Sequence, residues 1–227
     1  MSRSAMKIYK YVSAQYAERM VSHGELLFRA LSYFRDFEDG GIREDEYEGT
    51  LRHQPDGGLQ ITKTETGETL VLGGRFESTA KAADQIFVCC FSTIFCAELA
   101  ATFNANACVE FSDSIKLVAR VKSALRARSS VDQKNVPFGL VHYRSDDEPP
   151  LADWALPEKI AMAKRAAYSS QSEFRIAFAI GDAFGVENVS VRLTDGPNPR
   201  IAARQDHPYQ LLKLGNIQKF GTLHYFN

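Results

Sequence analysis

The chain has 227 residues, of which 44% are hydrophobic and 24% charged, and a net charge of −1 at pH 7. That length suits one large domain or two small ones. The charge balance is too small to argue for a dedicated nucleic-acid binder, and the longest apolar run, residues 86–91, is too short to cross a bilayer. Residues 1–111 carry 11 Lys/Arg and 16 Asp/Glu, whereas residues 112–227 carry 16 and 12. This weak polarity would favour an anionic ligand on the second half.

Residues 7–12 alternate and are aromatic and β-branched, which predicts a strand. Ser13 is a good N-cap for a short helix with Ala17, Met20 and Val21 on its apolar side, and Gly24 closes it. Residues 25–29 read as a second strand. Seven carboxylates then fall within residues 36–48, interleaved with aromatics and with Arg29, Arg35 and Arg43. That mixture reads as a structured, charge-rich loop rather than a disordered acidic tail.

Residues 52–84 are turn-rich, with two short strands at 59–64 and 69–72 forming a hairpin. Residues 85–92 suit a buried central strand, 94–104 are helical in composition, and 107–111 are another strand. Residues 114–128 predict an amphipathic helix with Ile115, Val118, Val121 and Leu125 inward and Lys116, Arg120, Arg126 and Arg128 outward. A strand at 138–143 precedes a helix that starts with Pro157 at N1 and runs to about Ala167. Strands follow at 172–180, 189–193, 199–203, 209–214 and 221–226. No repeat or linker divides the chain. The sum predicts a single α+β domain over residues 1–227, with many short, mainly antiparallel strands and three or four helices.

The start, residues 1–7, has no apolar h-region, so no secretory signal is read and a cytoplasmic location is expected. Cys89, Cys90, Cys96 and Cys108 match no zinc spacing and read as reduced, mostly buried thiols; the adjacent pair should face opposite sides of a strand.

The residues raise three possible chemistries. Glu173 beside Arg175 is either an active-site acid or half of a surface ion pair, and strand statistics favour the ion pair. Asp36, Glu38 and Asp39 have oxygen ligands for a hard cation, as a metal-dependent nuclease or hydrolase would need. Their spacing fits no EF-hand, and nearby arginines compete for the carboxylates, so an arginine-neutralised structural loop is favoured. A Ser or Cys nucleophile lacks a Gly-x-Ser-x-Gly turn, and the five histidines are scattered.

The order of Tyr9-Lys10-Tyr11, Phe34-Arg35-Asp36-Phe37-Glu38-Asp39, Cys90-Phe91-Ser92 and Glu173-Phe174-Arg175 resembles a broad bacterial and phage family of uncharacterised proteins. That family in turn resembles the ADP-ribosyltransferase fold, with DarT-like DNA modifiers as distant relatives. The family's Asn and Pro in the loop signature and its Met-Trp pair after Cys-Phe-Ser are absent here. The resemblance implies an NAD-dependent ADP-ribosyltransferase-like domain, set in phage–host conflict or in toxin and defence. NAD is then a substrate, the acceptor an unknown protein or nucleic acid, and no membrane is involved. It also implies roles. Tyr9, Lys10 and Tyr11 sit where the nicotinamide-ribose is held, and Arg29 reaches the pyrophosphate. Ser32 or Ser92 bonds ribose, and Glu173 holds the 2′-hydroxyl and steadies the cationic transition state. The alternative is a non-catalytic phage or bacterial protein that grips a host protein through the acidic loop.

Overall fold

The computed structural model describes residues 4–36, 45–132, 135–195 and 206–226. Its elements are β1 (Ile8–Val12), α1 (Ala14–His23), β2 (Glu25–Ala30), α2 (Leu31–Asp36), β3 (Thr50–His53), β4 (Leu59–Thr62), β5 (Thr69–Leu72), β6 (Arg75–Ala80), β7 (Ile86–Ser92) and α3 (Ala97–Thr102). They continue with β8 (Ala107–Phe111), α4 (Ser114–Leu125), β9 (Phe138–Leu140), β10 (His142–Arg144), α5 (Pro157–Ile160), β11 (Ala163–Arg165), β12 (Glu173–Ala179), β13 (Val189–Thr194), β14 (Tyr209–Lys213) and β15 (Gly221–Tyr225). The α+β class is as the sequence implied, with five α-helical segments among the described residues where three or four were expected.

The main sheet has eight strands and centres on β7. β12 runs antiparallel along the whole of β7, from Glu173 opposite Ser92 to Ala179 opposite Ile86. The other edge of β7 is shared. β2 takes one end, pairing Arg29 with Val88 and Ala30 with Phe87, and β1 takes the other, pairing Tyr9 with Ser92. Beyond them β14 continues from β2, and β8 and β15 continue from β1. A wedge therefore opens between β1 and β2, with α1 as their crossover.

Strand β7 is apolar from Ile86 to Phe91 because both of its faces are covered. Phe87, Cys89 and Phe91 pack with Phe28, Phe174, Phe178 and, from the helices, Met20, Leu117 and Val121. Each of the fully enclosed phenylalanines contributes about 1.5–3 kcal/mol by burial. Val88 and the inward-facing Ala177 and Ala179 pack instead with Leu31, Trp154, Ile160 and Met162. Cys89 and Cys90 thus face opposite sides, and all four cysteines are free thiols. Among the described residues no helix is long and apolar enough to cross a membrane.

Gly24 ends α1 in the left-handed region, φ 67°, and its N–H bonds the Met20 carbonyl at 2.9 Å. A Cβ there would run into the backbone of Gly215, so glycine is required both by the turn and by the close approach.

Several expectations are corrected. The helix expected from Pro157 to about Ala167 lasts only to Ile160, and its remainder becomes β11 and a 3₁₀ turn. The reason is pairing: β11 adds in parallel to β10, burying Ala163 and Lys164. The strand expected over 138–143 splits at Val141, because β9 pairs with β12 and β10 turns away to β11. Helix α4 buries Leu117 in place of the half-buried Ile115 and stops at Leu125. The helix expected over 94–104 shrinks to α3, its entrance held extended by the Tyr11 hydroxyl, which donates to the Ile94 carbonyl and accepts from the Cys96 N–H. The stretch 52–84 holds β3 and β6 besides the hairpin, and these build a three-stranded sheet with β13. The strand expected over 199–203 lies outside the described residues.

Candidate active-site cleft

The wedge between β1 and β2 is a cleft of about 970 Å³. This is the upper end of the roughly 300–1,000 Å³ range of small-molecule sites. Its lining includes Tyr9, Lys10 and Tyr11 from β1, Arg29 from β2, Ser92 from β7 and Glu173 from β12. The structure therefore brings together six of the residues singled out from the sequence, which lie up to 164 positions apart in the chain. Ser32 is not among them. Its hydroxyl is bonded to Asp84, which turns it away from the cleft. Glu38 and Asp39 lie outside the described residues, as does the side chain of Asp36.

Glu173 is the first residue of β12 and only 4% exposed. Its Oε1 accepts from Arg175 Nε at 2.6 Å, and its Oε2 lies 3.4 Å from Lys164 Nζ. The ion pair favoured from the sequence exists, but it is buried rather than on the surface. The covering elements are the segment 45–49 and β11, neither of which strand periodicity foretells. Burial pushes the Glu173 pKa up. The charges of Arg175 and Lys164 outweigh that and hold it at about 2, so the carboxylate is ionised.

Arg175 is fully enclosed. It donates to both Glu48 oxygens at 2.6 and 2.9 Å and to the Ala161 carbonyl at 2.8 Å. One guanidinium thus ties the end of the acidic loop to Glu173, as its planar fork allows. Arg35 adds two bonds to the Glu48 carbonyl at 2.9 and 3.1 Å. The described end of the loop, residues 45–49, is arginine-neutralised in this sense.

Lys164 donates to Gln171 Oε1 at 3.0 Å and sits 4.7 Å from the centre of the Tyr168 ring. Burial lowers its pKa, and the carboxylates of Glu173 and Glu48 more than offset this, leaving it raised and the ammonium charged. With Arg175, Glu48 and Glu173 it forms a buried quartet of zero net charge. Asp45 lies beside this quartet, and burial, with the Glu48 charge, pushes its pKa up to about 6.

The remaining lining groups are fixed in turn. Lys10 caps the Cys90 carbonyl at 2.7 Å. The Tyr11 hydroxyl donates to Ile94 O at 2.8 Å and accepts from Cys96 N at 3.0 Å. Burial pushes its pKa up to about 12. Ser92 Oγ donates to Gln171 O at 2.9 Å and accepts from Ile94 N at 3.1 Å, so it pins the turn after β7. The Arg29 guanidinium lies between two aromatic rings, 4.7 Å from Tyr33 and 5.6 Å from Tyr209. Lys10, Arg19, Arg29 and Lys164 outnumber Glu25 and Glu173 around the cleft, which suits an anion.

Sequence reasoning assigned no role to Glu48, Lys164, Tyr33 or Tyr209. Glu48 was one of seven similar carboxylates, and Lys164 lay within an expected helix. Only the return of Arg175 against Glu48, 127 positions away, reveals the pairing. Among the described residues no three His, Cys, Asp or Glu side chains converge to hold a metal. Comparison with protein-family models, curated proteins and solved structures gave no match.

Proposed function

We propose that the chain is an NAD-dependent ADP-ribosyltransferase-like enzyme that works in the cleft between β1 and β2. The observation that carries this reading is an ionised, buried Glu173 lining a dinucleotide-sized cleft beside Tyr9, Lys10, Tyr11 and Arg29. The residues present fit the substrate. Arg29 has the fork that suits phosphate, and its flanking tyrosines offer faces to a planar ring. NAD would supply an N-glycosidic bond whose cleavage leaves positive charge at C1′ as the bonding pair departs with nicotinamide. Glu173 places a fixed carboxylate in a water-poor pocket, where negative charge stabilises such a centre most. Arg175 and Lys164 hold that carboxylate in one orientation, so it needs no reorganisation during the reaction.

The same contacts favour a second reading. Arg175 and Lys164 both engage the Glu173 carboxylate, as they would in a purely structural anchor. The protein would then bind its partner without turnover, through the acidic loop.

The two part on one experiment. Wild type and Glu173→Gln are incubated with NAD and cell lysate, with nicotinamide release and label transfer as readouts. Release by wild type that falls at least 100-fold in a folded variant supports the transferase. No release and no NAD-induced thermal shift in wild type removes it.

A further inference from the structure

Residues 114–131 contain five Lys/Arg and no Asp or Glu, and residues 207–227 contain two and again none. The fold brings these two acid-free segments together. Helix α4 buries Leu117, Val118, Val121 and Leu125 and leaves Lys116, Arg120, Lys122 and Arg126 exposed. Just past its end, Arg128 bonds the Gln210 side chain and donates to the Leu211 carbonyl at 2.9 Å, clamping the helix to edge strand β14. Arg120 reaches the turn after that strand, where Nη1 lies 4.0 Å from a Cβ built on Gly215. Lys213 and Lys219, both exposed, extend the basic surface from β14 into that turn.

Acidic residues border this surface, with Asp132 directly after the first segment and Asp206 directly before the second. Asp113 caps the start of α4 and pairs with Lys116 at 3.2 Å. Glu25, opposite Lys213, is held by Arg19 at 2.7 Å. On the cleft side of β14 stand Tyr209 and Leu211, 59% and 37% exposed.

We propose that α4 and β14 together form a docking surface for single-stranded nucleic acid, which would pass over the edge of β14 beside the cleft. Charge complementarity selects a polyanion. The pairs Lys116/Arg120 and Lys122/Arg126 each advance about 6 Å along the helix, similar to the spacing of successive phosphates on a strand. Tyr209 offers an exposed ring for a base, the combination that single-strand binders use. A bilayer is disfavoured because the exposed side of α4 presents no large apolar side chain, and its apolar side is already inside the core. This surface does not depend on NAD chemistry.

The test is fluorescence anisotropy with a labelled 20-nucleotide single strand from about 50 to 200 mM salt, without NAD. Wild type should bind with micromolar affinity at the low end, and log K should fall with log salt by about 0.7 per phosphate contacted. Arg120→Glu with Lys213→Glu, both at exposed positions, should weaken binding at least tenfold and shrink that slope by 1–2. Lys63→Glu, in the remote turn just after β4, should change neither. Unfolding curves matching wild type show that the variants are folded. No wild-type binding at 50 mM salt, equal binding by the double variant, or preference for phosphatidylserine vesicles would each overturn the proposal.

Discussion

Replacing Glu48 with alanine tests the central electrostatic argument. Arg175, Lys164, Glu173 and Glu48 are all at most 7% exposed, and their charges cancel. Deleting Glu48 removes one of the quartet's two carboxylates and strips Arg175 of two bonds, at 2.6 and 2.9 Å. Breaking a buried pair in this way costs about 3–5 kcal/mol, because the remaining ion stays desolvated without its counter-charge. For a domain of this size each kcal/mol lowers Tm by about 2–4 °C, so the expected fall is roughly 6–20 °C. Thermal unfolding followed by circular dichroism reads it directly. Glu46→Ala is the comparison, since Glu46 is exposed and its contact to Arg165 is 3.7 Å long. That variant should stay within about 2 °C, as surface pairs contribute little. A Glu48→Ala protein that also melts within 2 °C of wild type would show that the quartet is not held by charge compensation.

Asp45 gives a pH signature. Its pKa, raised to about 6 against an ordinary 3.8, means that its stabilising contribution is complete below pH 4 and is lost as pH rises through 6. Asp45→Asn, which keeps an oxygen for the Tyr47 N–H, should therefore match wild type near pH 4. Above pH 7 it should exceed wild type by on the order of 2–3 kcal/mol in urea unfolding; no gain there would count against the raised pKa. Gly24→Ala should cost about 2–3 kcal/mol, since the left-handed backbone and the Gly215 contact both oppose a Cβ. Urea midpoints measure this too, and a loss under 0.5 kcal/mol would mean that the turn after α1 relaxes.

Much of the framework is legible in the sequence because local signals and tertiary demands agree there. The β1–α1–β2 unit follows from alternation, the Ser13 cap position and Gly24, and β7 from an apolar run of strand length. Where they disagree, sequence reasoning fails for identifiable reasons. Ala161–Ala167 has helical composition, yet the parallel ladder of β11 with β10 wins. β3 and β6 are obscured by Arg52, Arg75 and Glu77, polar residues that find ion-pair partners only in the folded chain. Arg75 Nε meets Glu77 Oε1 at 2.5 Å, and Arg52 bonds Asp146. At the cleft, Glu173 and the β1 residues could be singled out because short motifs carry them. Glu48 and Lys164 could not, because nothing local distinguishes an interior charge from a solvated one until its counter-charge is located.

The way β7 shares its edge has a mechanical consequence. β1 holds five residue pairs with β8, and β2 holds five with β14, whereas each meets β7 through only one or two. The sheet is therefore two stiff blades joined along a narrow seam. Prising them apart strains few ladder bonds and leaves both blades whole, so the compliance of the domain is concentrated at the cleft.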